Sequence, residues 1–177
     1  MTEQKTRIKS VQNILRKKKI DALYVSAIKN IRYLSGFTGS SGFVIVTKDR
    51  ALFFTDFRYK EQSEEEVRGC EIGNEKGNRP ALLKRLVKSL GIRKLGFETS
   101  LSYEFYLSLK GLSVTLEPIP NIIENLRKVK DEAEIRAIAS AVERAEAAFL
   151  KVKPFIKAGA KERGIALRME EQLKRQG

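Results

Sequence analysis

The segment from Asn30 to Tyr59, NIRYLSGFTGSSGFVIVTKDRALFFTDFRY, constrains the fold more than any other part of the chain. Two runs inside it, Phe43–Thr47 and Ala51–Thr55, are rich in Val, Ile and Phe, and only Lys48-Asp49-Arg50 separates them. β-Branched and aromatic residues suit a pleated surface, and so short a polar gap is a hairpin connection. A Gly/Ser/Thr loop, Gly36 to Gly42, precedes the hairpin, and Asp56-Phe57-Arg58-Tyr59 follows it. A loop, a buried hairpin and a polar exit together form the rim of a binding site.

The rest of the chain alternates around this hairpin. Residues 3–19 read as an amphipathic helix with Ile8, Val11, Ile14 and Leu15 on one face. Asp21–Ser26 is a short apolar strand of the kind buried on both faces. A helical turn over Ala27–Leu34 leads into the glycine loop. Glu61–Val67 reads as a helix, Cys70–Ile72 as a strand and Gly73–Asn78 as a loop. Pro80 opens a helix that Gly91 ends. Lys94–Glu98 is a strand, a helix from Ser100 or Ser102 runs to Leu109, and Ser113–Leu116 is a last strand. Such alternation predicts an α/β layered sandwich whose sheet is mixed because of the hairpin.

Pro118-Ile119-Pro120 is the strongest punctuation, since paired prolines stop a helix or central strand and stiffen a linker. The expected boundary divides residues 1–119 from 120–177. Beyond it, a helix over Asp131–Lys153 carries Ile135, Ile138, Val142, Ala145, Phe149 and Val152 in a stripe. A second helix over Lys161–Arg175 turns Ile165, Ala166, Met169 and Leu173 inward. Two amphipathic helices with no strands after them have apolar faces and little to cover them.

The chain has 35 basic and 22 acidic side chains, which raises the question of nucleic acid. Residues 1–60 carry 13 basic and 4 acidic side chains, so the excess is mostly N-terminal and includes Arg16-Lys17-Lys18-Lys19. That run closes a helix, where cations suit the dipole and stay solvated. No recognition-helix, RNP-like or zinc-finger pattern accompanies it, so specific nucleic-acid binding is not expected. No apolar run approaches the roughly 20 residues that span a bilayer, and Met1–Ser10 is charged, so neither a membrane nor secretion is expected. A single cysteine, Cys70, excludes an internal disulfide and fits a reducing cytosol.

The glycine loop reads G-x-x-G-x-x-G but lacks a G-K-[ST] ending, and a strand rather than a helix follows it. Without a helix N-terminus to receive phosphate, turns that need positive φ explain the glycines better. Arg58 offers a fork suited to a carboxylate, against a local pair with Asp56 that pins the strand exit. The chain has no histidine, so it holds no Ser-His-Asp triad, Cys-His dyad or imidazole metal ligand. Glu64-Glu65-Glu66 and Glu170-Glu171 diverge by about 100° per residue and read as solvated faces.

Asp21-Ala22-Leu23, Asn30 to Phe37, the hairpin and Thr55 to Tyr59 resemble the amino-terminal domain of the Xaa-Pro peptidases, the aminopeptidase P, prolidase and creatinase group. Leu126 to Ile135 is similar to the segment that opens that family's catalytic domain. Lys161 to Ala166 and Leu173 to Gly177 are similar to its second helix and the turn after it. The resemblance implies a three-layer α/β/α sandwich followed by the first helices of an incomplete pita-bread α+β domain. It further implies a cytoplasmic hydrolase that cleaves the bond before proline, as an aminopeptidase or dipeptidase. Two divalent metal ions (Mn, Co or Zn) would be held by two Asp, one His and two Glu, all expected downstream of Gly177, so that the 177 residues alone are expected to be inactive. A homodimer is implied, with Phe37, Arg58 and Tyr59 the candidates for substrate contact across it and Arg58 for a substrate carboxylate. The alternative within the same fold family is a non-catalytic binding module.

Overall fold

The computed structural model describes residues 2–74 and 78–176. The chain forms two compact units, Met1–Lys128 and Val129–Gly177.

The first unit is built on a six-stranded sheet of order β4-β3-β2-β1-β5-β6. Its strands are β1 Ala22–Val25, β2 Phe43–Thr47, β3 Ala51–Thr55, β4 Glu71–Asn74, β5 Lys94–Glu98 and β6 Thr115–Ile119. Only β2 runs against its neighbours. β1 and β3 both pair with it antiparallel, whereas β1–β5, β3–β4 and β5–β6 are parallel. The hairpin therefore makes the sheet mixed, as its position in the sequence predicts.

The three layers follow from strand alternation. Leu23, Val25, Val44, Val46, Ala51 and Phe53 face one side, against helices α1 (Glu3–Lys18), α2 (Ile28–Ser35) and α6 (Ile122–Lys128). Tyr24, Phe43, Ile45, Leu52, Phe54 and Leu95 face the other, against α4 (Arg79–Ser89) and α5 (Tyr103–Lys110). Both faces of β1, β2 and β3 are buried, which is why these strands read as continuous apolar runs. Helix starts are fixed by side chains: Asn78 accepts from the Ala81 amide and Ser102 from the Phe105 amide. Thr2 stands at the N-cap of α1 but makes no side-chain bond there. Helix α3, Lys60–Glu66, leads into β4. Of the loop expected over Gly73–Asn78, Gly73 and Asn74 extend β4, and residues 75–77 lie outside the described residues.

Two features differ from the sequence expectation. Pro118 does not interrupt the sheet, because β6 lies at its edge and a proline there removes no ladder bond that the sheet needs. The first unit also runs on past the prolines. Helix α6, absent from the sequence reading, packs Ile122 and Ile123 into the core, so the unit closes at Lys128 rather than residue 119.

The second unit consists of α7 (Glu132–Val152) packed on α8 (Glu162–Arg175). A capping box starts α7: Asp131 accepts from the Glu134 amide at 2.9 Å, and Glu134 accepts from the Asp131 amide at 3.1 Å. Pro154 falls in the single 3-10 turn Lys153–Phe155 that ends it. Glu170 and Glu171 are exposed, as expected, and pair one turn on with Lys174 and Arg175. Among the described residues no helix is long and apolar enough to cross a membrane.

Candidate functional site

The glycine loop and the exit of β3 meet at the end of the sheet where every strand but β2 finishes. The loop begins as α2 ends, at Gly36, whose φ of +83° is a left-handed conformation that glycine adopts without strain. Gly39 and Gly42 do not need that freedom; they are required by space. A Cβ on Gly39 would lie 2.2 Å from the Phe37 ring, and one on Gly42 would lie 2.9 Å from the Phe54 carbonyl oxygen.

Four side chains pin this loop. Glu66 accepts from the Thr38 amide and the Thr38 hydroxyl, both at 2.7 Å. Gln62 donates to the Thr38 hydroxyl at 2.9 Å and to Glu66 at 3.0 Å. These bonds, the Thr38 amide first, lower the Glu66 carboxyl from its ordinary value. Glu66 is therefore a loop anchor rather than one more solvated carboxylate of Glu64-Glu65-Glu66. On the other side Thr55 donates to the Ser41 carbonyl, and the Tyr59 and Ser40 hydroxyls share a 2.7 Å bond.

The three residues expected to meet substrate occupy different positions. Phe37 is wholly buried, 4.7 Å from the Phe53 ring and edge-on to Tyr59 at 5.6 Å. It supports the loop from beneath and reaches no solvent, because the apolar sheet face below offers a far larger contact than the surface above. Tyr59 is half-buried, held between Phe37 and Ser40. Arg58 is exposed and makes a two-pronged pair with Asp56, Nε to Oδ1 and Nη2 to Oδ2, each at 2.9 Å. The local pair is thus present. The Arg58 guanidinium brings the Asp56 carboxyl down to about 2. Asp56 also accepts from the Arg58 amide and so caps the 3-10 turn Phe57–Tyr59.

That turn breaks strand alternation and turns out a side chain the sequence reading passed over. Phe57 is 85% exposed, beside Arg58, in a unit whose other phenylalanines are mostly buried. An exposed aromatic next to an exposed cation can hold a group that is apolar at one end and anionic at the other.

A second polar cluster lies at the end of β5. Glu98 is nearly inaccessible, and its carboxylate accepts from the Ser26 and Ala27 amides at 2.8 Å and from Asn30 Nδ2 at 2.6 Å. Asn30 Nδ2 also donates to Glu124 at 2.6 Å, and Arg127 donates to Asn30 Oδ1 at 3.0 Å. Burial pushes the Glu98 carboxyl up, with the Glu124 charge adding to it, while the donors pull the other way. This cluster ties α6 to β5 and α2. No motif announces it, since its hydrogen-bonded pairs are 68 to 97 residues apart.

Among the described residues no group of three or more His, Cys, Asp or Glu could hold a metal ion. The Cys70 thiol, packed at the margin of the core, is pushed up to about 12 by burial and is a poor nucleophile.

Residues 7–129 match the family described as the Creatinase/Prolidase N-terminal domain. The chain is 34% identical over 174 residues to the uncharacterized peptidase YqhT of Bacillus subtilis, covering 97% of this chain and 49% of that protein. The solved Xaa-Pro dipeptidase from Bacillus anthracis is 32% identical with a TM-score of 0.91, covering 98% of this chain and 50% of that one. The N-terminal domain of the cytoplasmic peptidase PepQ from Mycobacterium tuberculosis, solved as a separate chain, is 29% identical with a TM-score of 0.62. That likeness covers 70% of this chain and 99% of the other. The chain spans about half the length of the curated relatives it matches.

Proposed function

The chain belongs to the Creatinase/Prolidase N-terminal domain family, and from that premise we propose that it is the amino-terminal half of an Xaa-Pro aminopeptidase or dipeptidase. The observation that carries this reading is the continuous similarity, over nearly all of the chain, to peptidases about twice as long. In this reading residues 1–128 serve oligomerisation and substrate access, and α7 and α8 are the first helices of a pita-bread catalytic domain. The stripe of α7 supports it, because Ile138 and Val142 are more than half exposed and require a covering partner.

The family implies a pair of divalent metals, Mn, Co or Zn. The residues present here do not fit them: the chain has no histidine, and the described carboxylates form no cluster of the kind required. In this reading the metal ligands would come from the half of the relatives' length that this chain does not span.

Within this reading Arg58 and Tyr59 act across a homodimer on substrate bound by the partner subunit. Asp56 occupies one edge of the Arg58 fork and leaves its remaining N–H donors for a substrate carboxylate. Phe37 holds Tyr59 in place from below, and Phe57 lies against the apolar part of the peptide.

The test is a peptidase assay on the full-length protein, loaded in turn with each of the three metals, using a dipeptide and a tripeptide with proline in second position. Cleavage before proline, lost on chelation, is expected; no cleavage with any metal overturns the reading. Arg58→Ala should lower kcat/KM by about tenfold, mainly through KM, which is the scale of one charge-assisted hydrogen bond. Unchanged kcat/KM together with an unchanged oligomeric state overturns the role given to Arg58.

A further inference from the structure

The opposite end of the sheet, away from the glycine loop, carries a cleft that the peptidase reading leaves unused. It has a volume of about 340 Å3 and lies between the last turns of α4 and the connection from α5 to β6. Its floor is Val87, Ile92 and Leu112, and its rim is Lys84, Lys88 and Arg93. The volume is within the range of small-molecule sites, roughly 300–1,000 Å3.

The charge at this rim is local. Residues 61–120 as a whole are balanced, with 9 basic and 9 acidic side chains. Yet residues 79–97 contain Arg79, Lys84, Arg85, Lys88, Arg93 and Lys94 and no acidic residue at all. Lys94 is neutralised by Glu117. Lys84, Lys88 and Arg93, all exposed, form no ion pair among the described residues. Asp21 takes the backbone amides of Arg93 and Lys94, and Lys48 neutralises its charge, so it does not quench the rim.

From this arrangement we infer that the cleft binds an amphiphilic carboxylate, a single anionic head on a short apolar chain. The lysine stems and the floor would cover the chain, and the ammonium and guanidinium groups would hold the head. A phosphate dianion is disfavoured relative to a single carboxylate, because the cleft lies at the C-terminal end of α4, where the helix dipole opposes each added negative charge.

The experiment uses the whole 177-residue chain and octanoate as probe, followed by amide chemical shifts. Saturable shifts centred on Gly91, Ile92 and Ser113 are expected, and Lys84→Glu/Lys88→Glu should weaken binding by at least about tenfold, or 1.4 kcal/mol. Lys88→Gln, a milder surface change, should give an intermediate loss. Octanol that binds as tightly as octanoate, or inorganic phosphate that shifts the same amides as strongly, would overturn the inference. So would octanoate shifts confined to α7 and α8, or an affinity untouched by the double charge reversal. None of these outcomes depends on the peptidase reading.

Discussion

Gly39 and Gly91 separate two reasons for a glycine. At Gly39 the backbone crosses the Phe37 ring, and a Cβ would lie 2.2 Å from it; the ring cannot retreat, since it is wedged on Phe53. At Gly91 nothing lies within 4 Å of a Cβ, but φ is +62°. Gly39→Ala should therefore cost about 1–3 kcal/mol by overpacking, and Gly91→Ala about 1 kcal/mol by conformation alone. Urea unfolding of both variants checks this; a Gly39→Ala variant no less stable than Gly91→Ala refutes the packing account. The sequence showed that the loop glycines were structural. It assigned them to positive φ, which of the three only Gly36 has; the contact that demands Gly39 is made by a ring two residues away, and spacing does not reveal it. It likewise offered Phe37 for substrate contact, whereas Phe37 is buried and Phe57 is the aromatic that the 3-10 turn at Asp56 exposes.

Among the elements, those with strong local signals were legible. Both hairpin strands have the ends the sequence predicts, and β5 does too. Helix α6 was not, because seven residues after a proline pair carry little periodicity. What holds it is tertiary: Ile122 and Ile123 below, and Asn30 with Glu98 and Glu124 beside it. This cluster has a pH signature. Burial raises the Glu98 carboxyl in the folded state, so the folded protein binds a proton at a pH where the unfolded chain has lost it. Its contribution to stability is then full below the ordinary carboxyl value and is lost as pH rises through the raised one. Glu98→Gln removes the titration while placing an amide among donors, a cost present at every pH. The stability of the parent protein relative to Glu98→Gln, measured by urea unfolding, should fall as pH rises from about 4.5 and then level off. A difference that stays flat or grows with pH would refute the assignment.

At the scale of the whole molecule, the two units differ in how they treat their apolar residues. In residues 1–128 the sheet is covered on both faces, and the large side chains of β1, β2 and β3 are buried. In residues 129–177, Ile135, Ile138, Val142, Leu150 and Leu167 are each more than half exposed, and among the described residues only Ala148 and Val152 are buried. Contiguous apolar exposure on that scale marks a surface made to be covered. The 177-residue chain should therefore bind a hydrophobic dye, and a chain ended after Lys128 should lose most of that signal while keeping its thermal midpoint. Ending the chain at Pro120 instead removes Ile122, Ile123 and Arg127 from the core and its polar tie. Each buried isoleucine lost costs about 2–5 kcal/mol, so this shorter chain should melt lower and bind dye through its opened core. The two cuts differ by eight residues, and their contrast distinguishes a unit that closes at Lys128 from one that closes at the prolines. Equal dye binding by the full chain and the Lys128 chain would mean that the α7 stripe is not the exposed surface, and the need for a covering partner would fall with it.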